Sequence, residues 1–180
     1  MGFFNRAERV APPAERVTGP TLYKGHSPVF GVTDRLVGPV RVIAPDEDFM
    51  CVQICLFQAV GVDVLVHHDF DSGYLELRGA AHPGTVAFID LDGFGGLGRV
   101  FDGLRRIRHE MPDVRIVLTS QTAAQDDFSL ERLAICDATL RAPMSLGAFD
   151  QALDAVAANN AEWQRRHAAT LAASLGRRAA

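Results

Sequence analysis

At 180 residues and 48% hydrophobic content, the chain holds enough apolar material for one ordinary core and little more. Its 18 basic and 22 acidic residues leave a net charge of -4, so no nucleic-acid partner is expected. No stretch approaches the roughly 20 apolar residues of a membrane span, and the opening residues lack a signal-peptide core, so the expectation is a cytoplasmic protein.

Cysteine and lysine usage narrow the chemistry further. Of three cysteines, Cys51 and Cys55 lie four apart on what reads as a buried helix face, and they are expected to be core thiols and not metal ligands. The only lysine is Lys24, the other 17 basic residues being arginine, so chemistry that needs a later lysine is excluded.

Residues 1–38 read as an arm, with Pro12, Pro13, Pro20 and Pro28 and no sustained period of 2 or 3.6. Glu15 to Pro20 is echoed by Asp34 to Pro39, which reads as two similar turns. A domain is expected over 39–158. Val40 to Ala44 is its first strand, and the acidic loop Pro45-Asp46-Glu47-Asp48 suits the first turn of a helix. That helix is predicted from about Phe49 to Val60, stops at Gly61, and is apolar nearly all round, so it should be well buried.

Val62 to Val66 reads as the second strand, followed by His67, His68 and Asp69. Neighbours on an extended chain point in opposite directions, so these three do not make a metal site. A short helix over about Ser72 to Ala80 leads to the strand Thr85 to Ile89, five apolar or β-branched residues suited to burial on both faces. It delivers Asp90, Leu91 and Asp92 onto a glycine-rich loop beyond the strand end, where open α/β sheets place ligands.

Beyond that loop, Leu97, Val100, Phe101, Leu104 and Ile107 recur at helical spacing as a core face, with Arg105, Arg106 and Arg108 as a solvated basic one. Pro112 closes this helix; Val114 to Leu118 is the fourth strand, ending at Thr119. Ser129 to Ile135 reads as a short helix and Ala138 to Leu140 as the fifth strand. Strands alternating with helices argue a parallel, doubly wound sheet.

Ser145 is a good N-cap for the last helix, whose inward face is read as Leu146, Phe149, Leu153 and Val156. The pattern continues through Asn160, Trp163, His167 and Leu171, making a helix of about thirty residues with 159–180 as its extension. One small domain cannot cover that length. Asn160, Trp163, His167 and Leu171 are therefore expected to meet a protein partner or form a homodimer.

Three chemistries compete for the loop after Ile89. Asp90-Leu91-Asp92-Gly93 resembles the opening motif of haloacid-dehalogenase-type phosphatases, whose magnesium-dependent chemistry also calls for a lysine that the chain lacks beyond Lys24. Gly93, Gly95 and Gly98 spell G-x-G-x-x-G, but Asp90 and Asp92 would face the pyrophosphate of a dinucleotide.

Residues 40 to about 157 resemble a response-regulator receiver domain: Asp90 ends strand three, Gly98 follows eight residues later, Thr119 ends strand four and Pro143 follows strand five. The resemblance implies a flavodoxin-like (βα)5 sheet in the order 2-1-3-4-5, with Asp90 at the phosphoacceptor position, Thr119 at the switch hydroxyl and a cis Ala142-Pro143 peptide. The departures concern chemistry. Ala44 and Pro45 stand where an acidic pair would hold magnesium, with Asp46 and Asp48 beyond. Ala142 stands where the family has lysine, Arg141 is one residue early, and Phe94 replaces a common proline.

Magnesium wants hard oxygen ligands, and charge neutralisation carries most of phosphoryl-transfer catalysis. The expectation is a degenerate receiver acting through protein contacts, not an enzyme, with no cofactor and with Asp90 held by backbone donors from Gly93 to Gly96. The alternatives are a working, magnesium-dependent response regulator phosphorylated on Asp90 and a small phosphatase using Asp90 and Asp92.

Overall fold

The computed structural model describes residues 21–25, 33–80 and 82–178. Five strands and four helices follow one another, alternating except between β5 and β6: β2 (Val40–Ile43), α1 (Glu47–Ala59), β3 (Val64–His67), α2 (Phe70–Ala80), β4 (Val86–Asp90), α3 (Leu97–Glu110), β5 (Arg115–Ser120), β6 (Ala138–Arg141) and α4 (Leu146–Arg178). A sixth strand, β1 (Thr21–Tyr23), comes from the segment read as an arm. The sheet runs β1-β3-β2-β4-β5-β6, parallel throughout except for β1 against β3. Apart from that edge strand it has the expected 2-1-3-4-5 order of a flavodoxin-like fold. The echo of 34–39 at 15–20 lies outside the described residues.

Alternate strand residues feed two cores, as the pleat requires. Val40, Val42, Val86, Phe88 and Val117 face α1 and α4, where Phe57 lies 4.9 Å from both Phe88 and Phe149 between ring centroids. Ile43, Ala87, Ile89, Ile116 and Leu118 face α2 and α3 through Tyr74, Leu77, Val100, Leu104 and Ile107.

Several expectations give way here. α1 is not buried all round: Met50, Ile54 and Phe57 face the sheet, while Cys51, Cys55 and Val52 are exposed, so the two thiols are not core groups. A helix laid on a sheet is covered on one side only, and a segment without charges does not mark which side. Phe101 and Leu146, assigned to inward faces, are also exposed. On each helix the buried residue is instead the one three residues along, Leu104 and Phe149.

Arg108 departs furthest from its assignment. Instead of joining the solvated basic face it is fully buried, ion-paired with Asp137 at 2.6 Å. Its Nη1 donates to Val114 O at 3.3 Å, and Ile116 N donates to Asp137 Oδ2 at 2.7 Å. Burial raises the Asp137 carboxyl above the ordinary aspartate value, with the Arg108 charge opposing.

The helix expected over 129–135 shrinks to a 3-10 turn, Leu130–Arg132. Asp127 forms an antiparallel bridge with Thr139 (N···O 2.7 and 2.8 Å in the two directions), so the chain beside it is held extended along β6. Among the described residues no helix is long and apolar enough to cross a membrane.

Candidate functional site

Asp90 and Thr119 are direct cross-strand partners at the carboxyl ends of β4 and β5. Both are buried and share the strand face of Phe88 and Val117, which looks toward α1. The expected pairing of these two positions is therefore present. What surrounds the carboxylate decides what it can do.

Asp90 Oδ1 accepts from Asp92 N and Oδ2 from Gly93 N, both at 3.1 Å. The loop folds back because Gly95 and Gly96 take positive φ of 81° and 95°, a region that favours glycine. Their own N–H groups donate to Asp92 O and Leu91 O, not to Asp90, so the donor set is narrower than the Gly93–Gly96 loop expected from sequence.

Gly93 is pressed against the site: a Cβ there would stand 2.4 Å from Asp90 Oδ2 and 2.9 Å from two ring carbons of Pro45. Pro45, from the end of β2, therefore packs against Gly93 beside the carboxylate. Burial raises the Asp90 carboxyl above its ordinary value; the Gly93 and Asp92 N–H groups oppose this, and the Asp92 and Asp46 charges add to it.

The remaining expected groups are engaged elsewhere. Asp92 Oδ1 accepts from Ser120 Oγ at 2.9 Å and Thr122 Oγ1 at 3.3 Å, and its Oδ2 from Gln121 N at 2.5 Å. It ties the β4 loop to the turn after β5. Thr119 Oγ1 donates to Ile89 O at 3.4 Å and lies 3.8 Å from Met50 Sδ, a position inside the sheet–α1 contact. Asp46 is exposed but near enough for its charge to bear on Asp90.

The Ala142-Pro143 peptide is cis, as the resemblance implied. Ala142 and Pro143 line a cleft of about 470 Å³ with Arg141, Asp126 and Met144. Arg141 N donates to Asp126 Oδ1 at 2.7 Å, and its side chain belongs to this cleft; no described ion pair joins it to Asp90. Lys24 pairs with Asp63 at 3.1 Å on the β1 edge.

The acidic pair expected to hold magnesium is replaced by Ala44 and Pro45, while each oxygen of Asp90 accepts one backbone hydrogen and both oxygens of Asp92 accept from the 120–122 turn.

His67, singled out beside His68 and Asp69, is buried 3.9 Å from Glu76, which also pairs with Arg41 at 3.3 Å. Burial lowers the His67 imidazole below its usual value, with Glu76 opposing. Among the described residues no group of three or more His, Cys, Asp or Glu could hold a metal ion.

Pro45 as a neighbour of Gly93 and Ser120 and Thr122 as partners of Asp92 were not read from the sequence as site groups. The only signal was Ala44-Pro45 itself, an apolar pair at a position where acids were expected.

The long helix materialises as α4, 33 residues and so about 50 Å. Its predicted interface residues divide. Asn160 is buried, its Nδ2 donating to Pro112 O at 3.0 Å and Val114 O at 3.1 Å, and Trp163 Nε1 donates to Arg108 O at 3.3 Å. These two face their own domain, because the helix grazes the amino-terminal edge of the sheet before leaving it. His167 is half-buried and Leu171 exposed, with Leu175 exposed one turn further.

No protein-family model matches the chain, and no curated protein matches it. Among solved structures it is similar to a response regulator receiver protein from Dyadobacter fermentans, with 16% identity, a TM-score of 0.48, and coverage of 67% of this chain and 98% of that one. The flavodoxin-like assignment rests on the strand order and register described above.

Proposed function

We propose that this chain is a cytoplasmic signal-transduction module of receiver type that works through protein contacts, without phosphorylation of Asp90 and without enzymatic activity. One observation carries the reading: the Asp90 carboxylate is fully buried, accepts from Asp92 N and Gly93 N, and stands beside Gly93, against which the Pro45 ring packs. Phosphoryl transfer to such a group would need cations to neutralise the developing charge, and the single lysine is at the β1 edge of the sheet, three strands from Asp90. The contact surface in this reading is the projecting end of α4, where Leu171 and Leu175 stand exposed and a second copy would bury them.

The test is a titration with Mg²⁺ and then beryllofluoride, a phosphoryl mimic, followed by amide NMR shifts near Asp90 and Thr119. No saturable shift at either place, from a folded protein, is the expected result. Saturable shifts at both would establish a working phosphoacceptor, the reading that the Asp90–Thr119 register favours.

A further inference from the structure

Where α4 leaves the domain, two imidazoles from different helices meet. His109, in the last turn of α3, and His167, one turn past Trp163, have ring centroids 5.4 Å apart and planes at 81°. Trp163 stacks on the same His167 at 5.5 Å and 29°, and is itself held by its hydrogen bond to Arg108 O. His109 is exposed and His167 half-buried, so the pair is open to solvent.

We propose that His109 and His167 form a binding site for a divalent transition-metal cation of the zinc, copper or nickel class, bridging α3 to the projecting part of α4. Neutral imidazole is the commonest ligand for these ions. A metal about 2.0–2.1 Å from a ring nitrogen lies roughly 3.2 Å from the ring centroid, so two imidazoles at a tetrahedral angle place their centroids about 5 Å apart.

The observed 5.4 Å separation is close to that before any ion binds, with the rings edge to face on two different helices. The Trp163 stack restrains His167 in the meeting orientation. The neighbouring carboxylates are committed elsewhere: Glu110 bonds Tyr74 and Arg106, and Glu162 bonds Arg165 and Arg166. Water or a partner's side chain completes the coordination. The site lies at the opposite end of the sheet from Asp90 and stands whether or not the signalling reading holds.

Trp163 is the only tryptophan, so its fluorescence reports on this place alone. The full-length chain, stripped with chelator and dialysed, is titrated with Cu²⁺. Saturable quenching at one ion per chain is expected, relieved by competing Zn²⁺ and not produced by Mg²⁺. His109→Asn and His167→Asn, each shown to be folded by circular dichroism, should weaken it roughly tenfold or more. Cys51→Ser/Cys55→Ser should leave it unchanged. Absence of saturable quenching, wild-type quenching in either histidine variant, or its loss in the cysteine variant overturns the proposal.

Discussion

Arg108 and Asp137 form an ion pair at 2.6 Å with 1% and 0% of their side chains exposed, joining α3 to the start of β6 beneath the sheet. Taking two charges out of water is costly, and their attraction offsets this only while both partners stay. Around them Asn159 Nδ2 donates to Asp137 O at 2.7 Å and Trp163 Nε1 to Arg108 O, so α4 is fastened to the same place.

Removing one partner should therefore be worse than removing both. Arg108→Met leaves Asp137 buried and alone and is expected to cost about 3–5 kcal/mol in urea unfolding. Arg108→Met with Asp137→Asn keeps an acceptor for Ile116 N and should recover most of that loss. A double variant no better than the single one would show that the pair is not the source of the effect.

Gly93 is fixed by contact. An added methyl would overlap Asp90 Oδ2 and the Pro45 ring, neither of which is the free end of a flexible chain. Gly93→Ala is expected to destabilise by about 1–3 kcal/mol and to shift the amide resonances of Asp92 and Gly93. Gly96→Ala, with open space around its Cβ but φ at 95°, should also destabilise, by strain alone and without the Pro45 contact.

The buried carboxyl of Asp90 gives a pH dependence of definite sign. Its folded pKa is raised above 3.8, so its contribution to stability is fully present below that value and is lost as pH rises through the folded pKa. Asp63, lowered by the Gly25 N–H and Lys24, works in the opposite sense and loses its contribution as pH falls through its folded pKa. Carboxyl carbon NMR should place the Asp90 midpoint above that of Asp63. The stability of wild type relative to Asp90→Asn should increase from pH 7 toward pH 4; a decrease would contradict the burial effect.

For α4, Leu171→Glu with Leu175→Glu puts charges on an exposed stripe that makes no contact with the sheet. The fold should be unaffected and Tm within a few degrees of wild type, whereas size-exclusion light scattering should change from a dimer mass to a monomer mass. A monomer mass for the unmodified chain would remove the homodimer from the proposed function. Trp163→Ala, by contrast, should speed hydrogen exchange at the end of α3 as well as in α4.

Much of this architecture was legible in local pattern. Strands of four to six buried residues alternating with helical periods define a doubly wound sheet, and the strand ending at Asp90 defines where a site would sit. The glycine loop and a helix of about thirty residues were equally visible, while the cis proline was implied by the receiver resemblance. Each depends on a period, a spacing or a residue type, all of which a chain carries by itself.

Partners are different, because a period says that a face is buried and not against what. Thr21 to Tyr23 is too short to show any alternation, and it becomes a strand only by pairing with Val64 to Val66 more than forty residues later. Cys51, Cys55 and Val52 face solvent because the sheet covers one side of a helix that carries no charge beyond its first turn. Arg108 is inside because Asp137, from a distant turn, neutralises it there. Pro45 meets Gly93 beside Asp90, and Trp163 turns to Arg108, because tertiary packing brought those elements within contact. Apart from β1 and the 129–135 segment, the order and type of the elements belonged to the sequence alone. Which side chains met belonged to the fold, since contact energies between distant residues exist only after the sheet has closed the distance.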